Sequence, residues 1–498
     1  MESDCLSLAT ILQRLEESSG DAPFLALGQT IFWDEPMKGG LALMVRKLGF
    51  KRKLVAGIHD TDYFAKLPSE KGQPGKFKTL PHNDSTTKGL WSAAGEFSTL
   101  FGSETVVTKE ALQAGGLRIA ALQRARPNIL EEATEAWGWR GIVSLSDQAP
   151  VTADLPLKHL MPELCGALDW AMDGSLDMLS GGTRELSQAL VEEMHARICD
   201  TSDEPGLTLA EFYRRLLPEF YEFCANVKVD LEPTRTTELL RFNTSTCHLP
   251  RFELLQLFID PQTQAIARRA YDEAIGHGSG LYELARFGTG AIPFDLVIPG
   301  IGRGTIRLGT RGAVIMTPTP QFLSFKKPIQ NIGELGQAIE AKFGTQCTIV
   351  GKAVTLIGML AREFVFVFHE GASGYVKHSR KLHQLLAESG HPIQVNPILR
   401  IRYNAWKALE VCCSWLRLPE PLQQPFGTEE VCAPSFAARW EAVAREQEAR
   451  LHDLGQLRRP IDLIRYLDSA VGGSWNTLAE EYEGLHRQLG DLNVSLES

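Results

Sequence analysis

The stretch from residue 24 to residue 62 constrains the fold more than any other. FLALGQ is a short apolar run that reads as a strand over 24–29. Asp34 suits the N-cap of a following helix, and Pro36 suits its first turn. Leu41, Met44, Val45 and Leu48 then recur at i, i+3, i+4 and i+7, which is one apolar face of a helix, and Gly49 can end it. LVAGI over 54–58 is a second strand, and it runs directly into His59-Asp60-Thr61-Asp62. Strand, helix and strand in this order make a β-α-β unit, whose two strands lie parallel with a right-handed crossover.

The 498 residues exceed one ordinary core, so several domains are expected. The pattern divides into an N-terminal Rossmann-like α/β domain (1–154), a mainly helical region (155–288), a small β-rich segment (289–345), a second α/β unit (346–434) and a C-terminal helical arm (435–498). Within the first, residues 67–89 are rich in Pro, Gly, Lys, Ser and Thr and read as a long loop or lid. The β-rich segment, DLVIPGIGRGTIRLGTRGAVIM, suggests a small antiparallel sheet. The second unit alternates strand 347–350, helix 353–361, strand 363–368, helix 374–388 and strand 393–398, the order of a parallel sheet covered by helices. The expected fold class is therefore α/β: a Rossmann-like parallel sheet core with a helical middle region, a small β insertion and a C-terminal helical segment.

A net charge of -10 argues against a nucleic-acid partner. The basic run Arg46, Lys47, Lys51, Arg52 and Lys53 suits the C-terminal end of the preceding helix. The N-terminus lacks the features of a secretory signal, and no apolar run approaches the ~20 residues that cross a bilayer. A cytoplasmic protein without a membrane partner is expected. The nine cysteines are odd in number and form no CxxC, so neither a disulfide framework nor a structural zinc site is expected. Cys247-His248 is the only adjacent Cys/His pair, and no second pair stands at ligand spacing, so no metal is assigned. No Ser/His/Asp or Cys/His arrangement is visible from spacing alone.

Three places have the residue types for chemistry. Ligands of open α/β sheets sit outside the carboxyl ends of the strands. Two loops of the first unit fall there: Gly28-Gln29, running on to Asp34, Lys38, Gly39 and Gly40, and the cluster His59, Asp60 and Asp62. Glycines near a helix start let backbone N–H groups approach an anion, Lys38 adds charge, and His59 can move a proton near neutral pH. If the chain stays extended, Asp60 and Asp62 face the same side. The second place is His369-Glu370-Gly371-Ala372-Ser373-Gly374, a cradle for phosphate or carboxylate after a strand. The third is Arg303 and Arg307, which alternation puts on one face of a strand with Thr305, with Arg311 nearby, three arginines able to clamp a carboxylate or phosphate. Gly351-Lys352 looks like the end of a P-loop but lacks the upstream glycine and has Ala353 in place of the hydroxyl residue; Lys352 remains a candidate anion ligand.

The order of these features resembles the cysteine-adding enzymes of bacillithiol synthesis. Gly28-Gln29 stands where that family has a GQQ-type turn, Gly39 and Gly40 lie in the segment after it, and a strand then ends in an acidic, histidine-containing run. This chain has His59-Asp60-Thr61-Asp62 where the family has Glu-Asp-His-Asp. Helices, a glycine-arginine β segment (302–307), a second α/β unit and a C-terminal helix follow in similar order. The resemblance implies a Rossmann-like core with a helical arm, a homodimer through the helical regions, and the joining of an amino acid such as cysteine to an amino-sugar conjugate. The first β-α-β unit is also similar to the class I synthetase and nucleotidylyltransferase core, which would imply an adenine nucleotide as cofactor. The HIGH-type histidines of that core are missing from 34–40, and no KMSKS loop follows. The expectation is a ligase or transferase acting on a polar or anionic small molecule. The alternative is a nucleotide-binding regulatory or scaffolding module without catalysis.

Overall fold

The apolar run of the first strand does form β1 (Phe24–Gly28), and all five residues of β2 (Leu54–Ile58) are buried. The two pair in parallel, from Phe24 opposite Leu54 to Gly28 opposite Ile58. The computed structural model that shows this describes residues 8–28, 35–69, 75–81, 118–125, 140–202, 205–276, 281–369, 374–401, 409–418, 420–471 and 475–497. Helix α1 (Leu8–Ser19) precedes β1, and α2 (Glu35–Lys47) connects β1 to β2. Of the apolar face read from spacing, Leu41 and Val45 are buried, while Met44 and Leu48 lie at its open margin.

Part of the expected loop at 67–89 is a sheet. β3 (Lys66–Leu67), β4 (Lys76–Pro81) and β5 (Arg140–Leu145) pair in the order β3-β5-β4. Lysines at 76 and 78 mask the alternation of KFKT, in which Phe77 packs edge-on against Phe64. The rest of that loop, 70–74 and 82–89, lies outside the described residues.

Three long helices follow: α3 (Leu157–Asp177), α4 (Gly182–Ser202) and α5 (Leu209–Ala225). Thr208 caps α5 by accepting a hydrogen bond from the Glu211 N–H, and Asn226, in the left-handed region at φ 52°, ends it. Within the stretch read as mainly helical, β6 (Leu231–Arg235) adds to β2 in parallel. LEPTR hides its strand character behind a proline. Pro233 is tolerated because β6 is the sheet's edge.

β7 (Ala291–Ile298), β8 (Gly302–Gly309), β9 (Gly312–Met316) and β10 (Gln321–Ser324) form the expected antiparallel meander. The next strand, β11 (Thr348–Gly351), corrects the expected second parallel unit: it pairs antiparallel with β7 at the meander's edge. Both strands are buried throughout, and a short, wholly apolar run reads the same in either kind of sheet. Helix α6 (Ala353–Leu360) then leads to β12 (Val365–His369), and α7 (Val376–Glu388) leads to β13 (Leu399–Ile401), later than the strand expected at 393–398. β12 pairs with β1, so the two α/β units share one sheet. Its order is β13-β12-β1-β2-β6, every pair parallel, a Rossmann-like core.

Apart from residues 177 and 182–186 at the ends of α3 and α4, these elements belong to a first compact unit, Met1–Leu176 with Ser187–Asn404. The second unit, Asp177–Leu186 with Ala405–Ser498, contains the hairpin of β14 (Trp415–Arg417) and β15 (Glu430–Cys432) and the helices Ala433–Gln456, Pro460–Val471 and Trp475–Glu497. Its own core is Leu418, Phe426, Phe436 and Val443. No described helix is long and apolar enough to cross a membrane.

Candidate functional site at the carboxyl edge of the parallel sheet

β1, β2 and β6 end side by side, and the turn after β2 is tied to both neighbours. The His59 N–H donates to the Gly28 carbonyl at 2.7 Å. Asp60 turns inward and has no exposed surface. One of its oxygens accepts from the Thr237 N–H at 2.9 Å and the other from the Thr237 hydroxyl at 2.6 Å. Burial pushes the Asp60 pKa up to about 6, against the opposing pull of the two Thr237 hydrogen bonds. The chain turns here instead of staying extended, so Asp60 and Asp62 do not share a face. With both oxygens used and no exposed surface, Asp60 anchors the loop to the residues after β6.

His59 keeps a solvent-facing edge. Its Nδ1 lies 2.9 Å from the Thr236 hydroxyl and its Nε2 3.3 Å from Asp62, with 16% of the His59 side chain and 31% of the Asp62 side chain exposed. The Nε2–H can donate to Asp62, and a threonine hydroxyl can donate to or accept from Nδ1, so both protonation states of the ring are satisfied. Asp62 also accepts from Arg303 at 2.6 Å. Arg303 continues the chain: its Nε donates to Asp295 at 2.8 Å, and its guanidinium lies 5.6 Å from the centre of the Tyr63 ring. Asp295, buried in β7, accepts in turn from Lys352 Nζ at 2.7 Å and from Thr305 at 2.8 Å.

The result is a row of alternating charge, His59–Asp62–Arg303–Asp295–Lys352, joining the turn after β2 to the antiparallel sheet. Burial works against ionising Asp62, but His59 and Arg303 outweigh it and hold this carboxyl well below the usual range. Burial opposes Asp295 likewise, and Arg303 and Lys352 overcome it. Arg303 loses solvation too, yet its two carboxylates bind the guanidinium proton more firmly than in water. Beside this row the hydroxyl of Thr61 is buried without a hydrogen-bond partner.

The other expected residues divide. Lys38 is buried, and its ammonium lies 3.4 Å from the Leu27 carbonyl at the end of β1. Gly39 and Gly40 lie past the first turn of α2, where N–H groups are committed within the helix, so they offer no anion cradle. Gly39 faces the Tyr221 ring of α5. Arg303 and Lys352 join the cluster, but Arg307 is held apart, with its Nε on the Thr289 carbonyl at 3.0 Å. The arginine pair read from strand alternation therefore does not converge. His369 ends β12 at the same edge, with its backbone paired to Ile401, and Gly374 is exposed at the turn before α7. Gln29, Asp34, Glu370, Gly371 and Ser373 lie outside the described residues.

Thr236, Thr237 and Asp295 are residues of the candidate site that the sequence reading does not reach. Asp295 carried a signal: it is the one charge in the otherwise apolar AIPFDLVI. Thr236 and Thr237 carry none, because nothing in LEPTRTT marks a strand ending beside β2. The cluster can hold a polar group at its exposed His59–Asp62 end and move a proton there. Comparison with protein-family models, with curated proteins and with solved structures found no match to this chain.

Proposed function

We propose that the first unit is a small-molecule enzyme of ligase or transferase type, acting on a polar metabolite at the carboxyl edge of the parallel sheet. The observation that carries this reading is the state of His59, which is held at both ring nitrogens and still reaches solvent beside a half-exposed carboxylate. An imidazole fixed in this way loses little entropy on reacting. The His59–Asp62 pair takes up the proton of an attacking amine, thiol or hydroxyl, and Asp62 attracts a substrate ammonium group. Thr236 orients the ring, and Arg303 orients the carboxylate. Lys352, still partly exposed, meets the anionic part of the substrate. The resemblance to the cysteine-adding enzymes supplies the substrate class: an amino acid such as cysteine, joined to an amino-sugar conjugate.

The test is thermal-shift titration of the full chain with cysteine, an amino-sugar conjugate and an adenine nucleotide, singly and in pairs, followed by mass spectrometry for a joined product. His59→Gln should keep the melting temperature of the free protein and lose the product. A nucleotide-dependent shift without turnover in the wild type would replace the enzyme reading with a binding module. Product formation unaffected by His59→Gln would remove His59 from the mechanism.

A further inference from the structure

A second row of reactive groups lies on helices α3 and α4. Cys199 Sγ is 3.6 Å from Nδ1 of His195, one turn earlier on the same face of α4. The other ring nitrogen of His195, Nε2, is 3.3 Å from Asp169 on α3. Carboxylate, imidazole and thiol thus stand in line. Asp169 accepts the Nε2–H, which leaves the Nδ1 lone pair facing the thiol, the arrangement that activates a nucleophile through an oriented base. Cys165, one turn before Asp169 on α3, is the fourth titratable group there. Burial pushes its thiol pKa up, and the neighbouring Cys199 and Asp169 add to this.

Solvent reaches the row. Both cysteines are partly exposed, His195 is 42% exposed and Asp169 57%. Among the described residues no group of three or more His, Cys, Asp or Glu is placed to hold a metal ion. The His195 ring is engaged on both sides, by an acid and by a thiol. Its geometry suits proton transfer.

We propose that Cys199 is a base-activated thiol and the preferred site on this chain for covalent modification by soft electrophiles. The thiol proton passes to Nδ1 of His195, and the imidazolium is held by Asp169. The thiolate sulfur then attacks an electrophilic carbon. The S–C bond forms as the carbon's bond to its leaving group breaks, and that group departs with the electron pair. The imidazolium returns its proton to water.

Iodoacetamide, whose leaving group is iodide, is the probe. The folded full-length chain is treated with a limiting amount at neutral pH, and the labelled peptides are quantified by mass spectrometry. Cys199 should react about 10-fold faster than the exposed Cys413. Its rate should level off at a lower pH than that of Cys413. His195→Gln should slow Cys199 about 10-fold and return its pH profile to that of an ordinary thiol, and Asp169→Asn should fall between the two. Both substituted side chains are largely exposed, so the melting temperature should not move. Equal rates at Cys199 and Cys413 would overturn the proposal, as would a pH profile untouched by His195→Gln.

Discussion

Asp60 shows how far burial can change what a residue type means. As a sequence position it is a carboxylate in a polar turn after a strand. In the fold it has no exposed surface and anchors that turn to Thr237. Its pKa is raised from the ordinary carboxylate value to about 6, chiefly by burial. The stability it contributes is therefore fully present below the unfolded pKa of about 4 and is lost as pH rises through about 6. Urea unfolding of wild type and Asp60→Asn at several pH values should show the difference. Between pH 4 and pH 7 the wild type should lose about 2 kcal/mol relative to the variant, most of the effect of a two-unit pKa shift. A constant difference across that range would mean that Asp60 ionises as freely in the fold as in the unfolded chain. His59 and Asp62 keep solvent-facing edges, because they sit where the turn meets solvent. Asp60 has no such edge because the turn rotates its side chain inward, and residue type alone does not carry that rotation.

Among the elements, periodicity was a good guide where it was strong. β1, β2, α2 and the β7–β10 meander all stand close to where spacing and composition put them. The failures have separate causes. β6 is an edge strand with a proline, β4 alternates behind lysines, and β11 is an apolar run whose partner no local signal names. The joining of β12 to β1 spans more than 300 residues of sequence, and local pattern cannot reach that far. Gly351 is a case in which an element junction explains a residue that first suggested a ligand. It ends β11 opposite Phe294, and the first turn of α6 folds back over it. A Cβ there would lie 2.4 Å from the Leu356 nitrogen and 2.7 Å from the Thr355 carbonyl carbon. The glycine is required by the close approach of strand and helix, and phosphate binding is not needed to explain it. Gly351→Ala should destabilise the chain by about 1–3 kcal/mol, since backbone and not a flexible side chain must shift. Because Lys352 follows directly and its N–H bonds to the Pro293 carbonyl, the shift should also weaken the Lys352–Asp295 contact. A chemical-denaturation midpoint equal to that of wild type would show that the junction has room to spare.

At the scale of the whole chain, the two units differ most in how much core each possesses. The first buries two large apolar clusters, one under the meander and one around the parallel sheet and α5. The second relies on Leu418, Phe426, Phe436 and Val443, where the Phe426 and Phe436 rings stack with centroids 5.0 Å apart. Its last helix leaves Leu485, Leu489, Leu492 and Leu496 more than half exposed. Stability rises with the fraction of surface a unit can bury, so the second unit should melt first and calorimetry should resolve two transitions. Matched core truncations assign them. Phe436→Ala removes one ring of the stacked pair and should cost the second unit about 3–5 kcal/mol, lowering only the earlier transition. Phe294→Ala removes a fully buried ring in β7 that packs edge-on against Phe258, 5.4 Å away, and should lower only the later one. A single transition lowered by both substitutions would mean that the small core melts together with the large ones.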